Sequence, residues 1–573
     1  MKRAGTVPWP EPEAERYTAA GYWRGRPLGD WMWSWSESYG ARTALVDGAT
    51  RMSYRELAAR ADALADHLAA LGLKDGDNLL VQLPNRWEFV ALFLACQRIG
   101  VAPVLALMPH REHELEYLAD LADVAAVAVP DTCRGVDHQA LGAKIAAGRP
   151  RPVPVLVVGD DVAPGHVDLR AALRIEGDVE ERRRRLDARA PDAGEVALFL
   201  LSGGTTGLPK IIARTHNDYE YNFRRSAEVC GFTEETTYLA VLPLAHNFPL
   251  GCPGVLGTLA VGGRAVLSPS PHPRTAFAEI ARERVTVTSV VPAVAHRWLE
   301  HAGERPSALA SLDLLQVGGS VLPTELARDL GPGLGCTLQQ VYGMAEGLLN
   351  YTRPGDLAPV LRETQGRPVS EADEILVVDG EGRPVPRGAT GELLTRGPYT
   401  PRGYYRAPQH NQRAFTPDGW YRTGDLVRWH PSGNLVVEGR LKDLVNRGGE
   451  KVSIDEVEDL VRAVPGVADA AALALPDPAL GERVGVCVIP AEGRRPTLET
   501  IHAFFAARGV AAFKRPELLH LVAEFPLTPI GKVDRRTLRE HILALSRASV
   551  PTQPAARPAA HPATEPSQAP APA

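Results

Sequence analysis

The sequence predicts an α/β fold, with a large N-terminal domain of mixed or parallel sheets and flanking helices, followed by a small α+β C-terminal domain. Two observations carry this. Short apolar runs alternate with segments of helical apolar spacing along most of the 573 residues, the pattern of strands covered by helices. Near Glu438–Asp443 that pattern gives way to a charged, turn-rich segment, and a new unit of about a hundred residues begins, large enough to fold around its own core. The expected units are therefore 1–439, 440–545 and a tail, 546–573.

Taken in order, Asn78–Gln82, Val153–Val158, Val196–Leu201, Thr286–Val291 and Leu312–Val317 read as strands. The spacing predicts helices over Tyr54–Leu71, Arg86–Ile99 and Thr324–Leu330. Val90–Met108 is the most apolar stretch, but Gln97, Arg98 and Gly100 interrupt it. It reads as a buried helix entering a strand rather than a membrane span. The charge run Glu180–Arg185 reads as a solvated helix end or loop. In the C-terminal unit, helices are expected at Ser453–Ala463 and Leu498–Arg508, with strands at Ala470–Leu475 and Arg483–Ile489. The tail is Pro, Ala, Thr and Gln with almost nothing to bury, and disorder is expected there.

The chain is 45% apolar and 23% charged, the composition of a globular protein, and its formal net charge of −6 offers no global attraction to nucleic acid or an anionic membrane. Cys96, Cys133, Cys230, Cys252, Cys336 and Cys487 are scattered without a CxxC pair or a metal-ligand spacing. That argues against a disulfide framework or zinc site and fits a reducing cytoplasm. Met1–Trp23 has no apolar core of the kind a secretory signal needs.

The sharpest local signal is Ser202-Gly203-Gly204-Thr205-Thr206-Gly207-Leu208-Pro209-Lys210, directly after the strand Val196–Leu201. Glycines let backbone N–H groups approach an anion closely, the hydroxyls add donors and Lys210 adds a cation. This suits a triphosphate or a departing pyrophosphate. The Gly-Lys-Ser/Thr ending of a Walker loop is absent.

Further segments follow in order: Gln339-Gln340-Val341-Tyr342-Gly343-Met344-Ala345-Glu346, Tyr421-Arg422-Thr423-Gly424-Asp425, Gly439-Arg440-Leu441-Lys442-Asp443 and Pro529-Ile530-Gly531-Lys532-Val533. Together the five motifs resemble those of the adenylate-forming superfamily, which includes acyl-CoA synthetases, luciferases and the adenylation domains of non-ribosomal peptide synthesis. The resemblance implies ATP and Mg²⁺ as cofactors. It places Val341, Tyr342 and Gly343 beside adenine, Asp425 and Arg440 at the ribose, and Glu346 with Thr206 at the metal. A carboxylate with two acceptor oxygens suits a cis-diol.

Adenylation brings a carboxylate against the α-phosphate, so the chemistry is positioning plus charge neutralisation. The resemblance assigns the bridging cation to Lys532 and the inter-domain hinge to Lys442. It also implies a rotation of the small, mobile domain that presents Arg447-Gly448-Gly449-Glu450-Lys451 for a thiol-transfer step, with Gly448 and Gly449 bordering the thiol's path.

The acid is read from Ala245-His246-Asn247-Phe248-Pro249-Leu250-Gly251-Cys252. Amino-acid-activating relatives carry Asp where Asn247 stands, so the counter-charge for an ammonium is gone. Asn247 can donate to a 2-hydroxyl or to a carboxylate, and Phe248 offers a flat face to a ring. The segment resembles that of the stand-alone aryl-acid adenylating enzymes of siderophore biosynthesis, which use salicylate or 2,3-dihydroxybenzoate. Dihydroxybenzoate enzymes have Ser at the position of Cys252 and Val at that of Leu349. A thiol pairs weakly with a 3-hydroxyl, and Leu349 is bulkier than Val, so salicylate is the expected acid. Gly319, between the strand and helix of the Gly318-Gly319-Ser320 turn, is expected to wall both adenine and ring, with Val321 on the acid side. His246 is expected in a structural or ATP-side role. The implied acceptor is a separate aryl carrier protein bearing phosphopantetheine, since the sequence has no carrier domain of its own. A 2,3-dihydroxybenzoate ligase and an aryl-CoA ligase remain open alternatives, and neither nucleic acid nor membrane is an expected partner.

Overall fold

The computed structural model describes residues 3–202, 209–440, 444–526 and 533–548. The expected motif residues Gly203, Gly204, Thr205, Thr206, Gly207, Lys442 and Lys532 lie outside these, as does the tail beyond 548.

The largest sheet has nine strands. Its centre is parallel and runs Thr337–Met344, Leu314–Gly318, Val287–Val290, Thr237–Ala240, Arg264–Leu267 and Thr43–Asp47 in spatial order. Antiparallel strands finish both ends: Gly347–Tyr351 and Arg367–Pro368 on one side, Thr50–Ser53 on the other. A second sheet of seven strands orders Ile211–Thr215, Val196–Leu201, Ala102–Leu105, Asn78–Val81, Ala126–Pro130, Val155–Val158 and Val167–Asp168, parallel except for its first pair. Strands such as Ala126–Pro130 and Val155–Val158 are buried at every position, which is why they read as unbroken apolar runs rather than alternating ones.

The helix Trp87–Arg98 packs against the helices Tyr54–Ala70 and Leu28–Tyr39 and leads into Ala102–Leu105, the predicted helix-then-strand. Gln97 Nε2 and Arg98, which interrupt its apolar run, find partners inside the protein. Gln97 donates to the Phe93 and Ala197 carbonyls, and Arg98 pairs with Asp62 at 2.8 Å and Asp187 at 2.6 Å. Among the described residues no helix is long and apolar enough to cross a membrane. The Glu180–Arg185 run lies inside a full helix, Val179–Asp187, whose N-terminus Asp178 caps. Its arginines find carboxylates on neighbouring helices, Arg182 pairing with Asp66 at 3.0 Å.

Two antiparallel sheets follow. Glu374–Val378, Gly391–Arg396, Tyr421–Trp429 and Leu435–Arg440 form one. Glu450–Ser453, Leu444–Arg447, Gly481–Pro490 and Val467–Asp477 form the other, with Leu518–Leu521 added in parallel to Gly481–Pro490. Helices Ile454–Arg462 and Leu498–Ala507 cover this last sheet through Val457, Val461, Ile501 and Phe505. Ser453 and Thr497 cap them by accepting the Glu456 and Thr500 N–H groups.

Met1–Val522 forms one compact unit and Ala523–Ala573 another. In the second, the helix Arg535–Ala548 starts at Asp534, whose carboxylate accepts the Thr537 N–H at 3.1 Å. That helix extends into the first residues of the segment assigned to the tail.

Candidate active site

A cavity of about 440 Å³ opens at the carboxyl ends of the parallel strands, the usual ligand position in such sheets. Val196–Leu201 delivers Ser202 to it, Leu314–Gly318 delivers Gly319, and the chain after Thr237–Ala240 delivers His246, Asn247 and Phe248. Of the predicted residues, Lys210, Cys252, Val341, Gly343, Glu346, Leu349, Asp425, Gly448 and Gly449 also line it. Tyr342 and Val321 do not; Val321 is 51% exposed, and the next residue, Leu322, is buried.

At the end of the cavity expected to receive the acid, Asn247 begins the short helix Asn247–Gly251 and is 8% exposed. The Tyr219 hydroxyl, from the helix His216–Val229, donates to Asn247 Oδ1 at 3.0 Å. Burial pushes the Tyr219 hydroxyl well above its ordinary pKa, so it stays a donor. This fixes the amide orientation and leaves the Nδ2 hydrogens for a ligand. Cys252 is buried, and burial pushes its thiol up to about 12, so it faces the cavity as a neutral, weakly bonding group. Leu349 stands on Gly347–Tyr351, paired with Gly343 across the ladder. A Cβ on Gly343 would come within 2.4 Å of Leu349 Cδ2, so glycine there is what lets the leucine fill the wall.

At the end expected to receive the nucleotide, the Tyr342 hydroxyl donates to Asp425 Oδ2 at 2.6 Å. Asp425 also sits opposite Arg440 in the antiparallel ladder, so the two ribose candidates are register partners; the Arg440 side chain is not among the described atoms. Glu346 Oε1 accepts the Tyr404 hydroxyl at 2.7 Å, and Tyr404 in turn lies 3.0 Å from the Tyr421 hydroxyl. Lys210 Nζ stands 5.9 Å from the Tyr404 ring centre. Ser202 and Lys210 close the base of the glycine-rich loop: the Ser202 N–H donates to the Lys210 carbonyl at 2.9 Å and the Lys210 N–H to Ser202 Oγ at 3.2 Å.

The Gly448-Gly449 loop faces the cavity. Gly449 has φ +95°, and a Cβ there would meet Val291 Cγ1 at 3.0 Å, so both the backbone and the close approach call for glycine. The next residue, Glu450, points its carboxylate at His246, with Oε1 3.6 Å from Nε2. Burial pushes the Glu450 carboxyl up, but the facing His246 outweighs it and holds the group below the usual range. Farther along, buried Lys514 bridges Glu456 at 2.7 Å and Glu114 at 3.1 Å. It thereby ties Ile454–Arg462 to the helix Glu112–Ala122 of the large sheet region. Burial works against the Lys514 charge, and the two carboxylates outweigh it, so its pKa is raised.

Sequence reading missed Tyr219, Tyr404, Lys514 and the role of Glu450. Tyr219 and Tyr404 carry no motif of their own, and their partners lie 28 and 58 residues away. Glu450 adjoins the glycine pair and was the one such residue a motif could have flagged.

Comparison with known proteins fits this geometry. The family model described as AMP-binding enzyme matches residues 32–405, and that described as AMP-binding enzyme C-terminal domain matches 456–532. A Streptomyces protein named salicylyl-CoA synthase / salicylate adenylyltransferase is 58% identical over 94% of this chain and 98% of its own length. A 2-hydroxy-7-methoxy-5-methyl-1-naphthoate–CoA ligase of Streptomyces carzinostaticus is 54% identical over 94% and 97%. Among solved structures, apo MbtA of Mycobacterium smegmatis has a TM-score of 0.71 and 42% identity over 94% of this chain and 99% of its own.

Proposed function

The chain belongs to the AMP-binding enzyme family, and on that premise we propose that it activates an aryl acid with a 2-hydroxyl, salicylate foremost, as the acyl-adenylate, and passes the acyl group to a phosphopantetheine thiol. The observation that best supports the acid is Asn247, held by Tyr219 so that its amide hydrogens serve a carboxylate or ortho-hydroxyl, beside Phe248, Cys252 and Leu349. Both Streptomyces relatives are named for acids with a hydroxyl next to the carboxylate, which agrees with that donor.

In the first step the acid's carboxylate oxygen attacks the α-phosphorus of ATP, the bond to the β-phosphate oxygen breaks, and pyrophosphate leaves. Asn247 and Phe248 hold the acid, Tyr342 borders adenine, and Asp425 with Arg440 holds the ribose. Ser202 and Lys210, with the glycine-rich loop Gly203–Gly207 outside the described residues, receive the phosphates. Lys532, also outside them, supplies the cation between the two oxyanions. Among the described residues no group of three or more His, Cys, Asp or Glu could hold a metal alone. Glu346, kept in place by Tyr404, fits Mg²⁺ that arrives with the nucleotide, since that ion is commonly bound through one or two carboxylates plus phosphate oxygens. When bound it would neutralise charge on the leaving pyrophosphate, with Thr206 as its second ligand.

In the second step the thiol sulfur attacks the acyl carbon, the acyl–oxygen bond to AMP breaks, and the thiol proton leaves. The Gly448-Gly449 loop facing the cavity, with Glu450 against His246, supports an arrangement suited to this step. We place the boundary of the moving domain at 439/440, with Lys442 as its hinge. Six free cysteines, four of them buried, suit a cytoplasmic setting.

The acceptor is a separate aryl carrier protein. A second reading, coenzyme A, is favoured by the names of the two Streptomyces relatives; both acceptors present the same pantetheine thiol. Incubating enzyme, ATP, Mg²⁺ and salicylate with either CoA or a holo-aryl carrier protein separates them. Faster acylation of the carrier supports the first reading, and faster salicylyl-CoA formation replaces it with the second.

A further inference from the structure

The wall beside the acid's ring is held from behind by buried hydrogen bonds. The Leu349 N–H donates to the Tyr399 hydroxyl at 3.2 Å, and that hydroxyl donates to Asp373 Oδ2 at 2.5 Å. Asp373 Oδ2 also accepts the Ser370 N–H at 3.2 Å, and Ser370 Oγ lies 2.6 Å from the Tyr221 hydroxyl. Near Leu349 the ladder shifts register between Gly343 and Met344, so the wall needs a support other than uninterrupted strand pairing. Tyr399 is fully buried and its ring packs 5.9 Å from that of Tyr221.

The segment carrying Tyr399 is itself braced. The Trp9 and Trp23 indoles, edge to face at 5.3 Å, donate to the Gly397 carbonyl at 3.4 Å and the Pro398 carbonyl at 2.8 Å. A residue so fixed on one side can hold a backbone on the other. Burial raises the Asp373 carboxyl to about 8, and the Tyr399 hydrogen bond only partly offsets this. A neutral carboxyl still has an oxygen that accepts. Neither Tyr399 nor Asp373 lines the cavity.

We propose that Tyr399 and Asp373 are positioning residues for acid selection: they fix the Leu349 backbone, and so the depth of the ring slot, a role that rests on the aryl-acid function above. Leu349 is packed against Gly343 with no room to spare. A small shift of its backbone therefore changes the volume available at the ring's position 3.

The test measures acid-dependent ATP–pyrophosphate exchange with salicylate and with 2,3-dihydroxybenzoate for wild type, Tyr399→Phe, Asp373→Asn and Asp373→Ala. The ratio of kcat/KM for the two acids, taken on one preparation, does not depend on how much protein is folded. Tyr399→Phe is expected to lower the salicylate preference at least about fivefold while the KM for ATP stays within about twofold. Asp373→Asn keeps an acceptor for Tyr399 and is expected to hold the ratio within about twofold. Asp373→Ala, which removes that acceptor, is expected to lower the ratio as Tyr399→Phe does; an unchanged ratio in Tyr399→Phe overturns the role of the pair, and an unchanged ratio in Asp373→Ala overturns that of Asp373. Absence of exchange by the wild type with every hydroxybenzoate would overturn the function itself and this role with it.

Discussion

The Tyr342 hydroxyl and Asp425 Oδ2 meet at 2.6 Å and join the nine-stranded sheet to the four-stranded one at the nucleotide end of the cavity. A carboxylate in that position is steadied before any ribose arrives. Asp425→Ala removes both the proposed acceptor for the diol and the carboxylate that Tyr342 bonds. The KM for ATP should rise roughly ten- to a hundredfold, the cost of a lost charge-assisted hydrogen bond, with the acid's KM much less affected. Tyr342→Phe should do less, because the carboxylate remains. Exchange kinetics with ATP varied at saturating acid check both.

Cys252 and Leu349 are both buried and both face the ring end. Exchanging them for Ser and Val adds a hydroxyl that can pair with a 3-hydroxyl and removes a methylene. Each change is worth on the order of 1–3 kcal/mol. The salicylate-to-dihydroxybenzoate preference of the double variant should fall or reverse. A ratio equal to that of the wild type would remove the basis for naming salicylate.

Glu450 contacts His246 from the glycine loop rather than from the nucleotide side. Glu450→Gln should leave exchange close to wild type and slow acyl transfer to the thiol by about tenfold, a typical loss for one charge-assisted contact. Measuring the two half-reactions separately decides it, and equal losses in both would place Glu450 elsewhere in the mechanism.

Burial lowers the pKa of His216 to about 3, and its Nδ1 accepts the Leu28 N–H at 3.2 Å. The unfolded chain takes up a proton on this residue below its ordinary value of 6.5, whereas the folded chain does not until about 3. Stability from this group is thus present above pH 6.5 and lost as pH falls toward 3. At pH 5 the loss is about 2 kcal/mol. His216→Asn, which keeps an acceptor for Leu28, should narrow the difference in unfolding free energy between pH 7 and pH 5 by that amount. Denaturant titrations at the two pH values measure it.

Local structure was largely legible before any coordinates. The strand Val196–Leu201 ends where its sequence predicts, and Leu498–Ala507 falls one residue short of its expected end. Periodicity and turn residues are local signals, and they place local elements. Val153–Val158 proves shorter, starting at Val155, since Pro152 and Pro154 offer no N–H for a ladder. The order of strands in the sheets was not legible, nor were Lys514 between Glu114 and Glu456 or Tyr404 against Glu346. Those arrangements depend on how distant segments pack, which no single segment encodes.

The proposed function depends on this cavity joining the carboxylate of a hydroxylated benzoate to the α-phosphate of ATP. ATP–pyrophosphate exchange by purified protein with Mg²⁺, over benzoate, salicylate, 2,3-dihydroxybenzoate, a 2-hydroxynaphthoate and an amino acid, tests that most directly. Exchange should be strongest with salicylate, weaker without a 2-hydroxyl or with an added 3-hydroxyl, and absent with the amino acid. No exchange with any hydroxylated aryl acid, or exchange supported best by the amino acid, would contradict it.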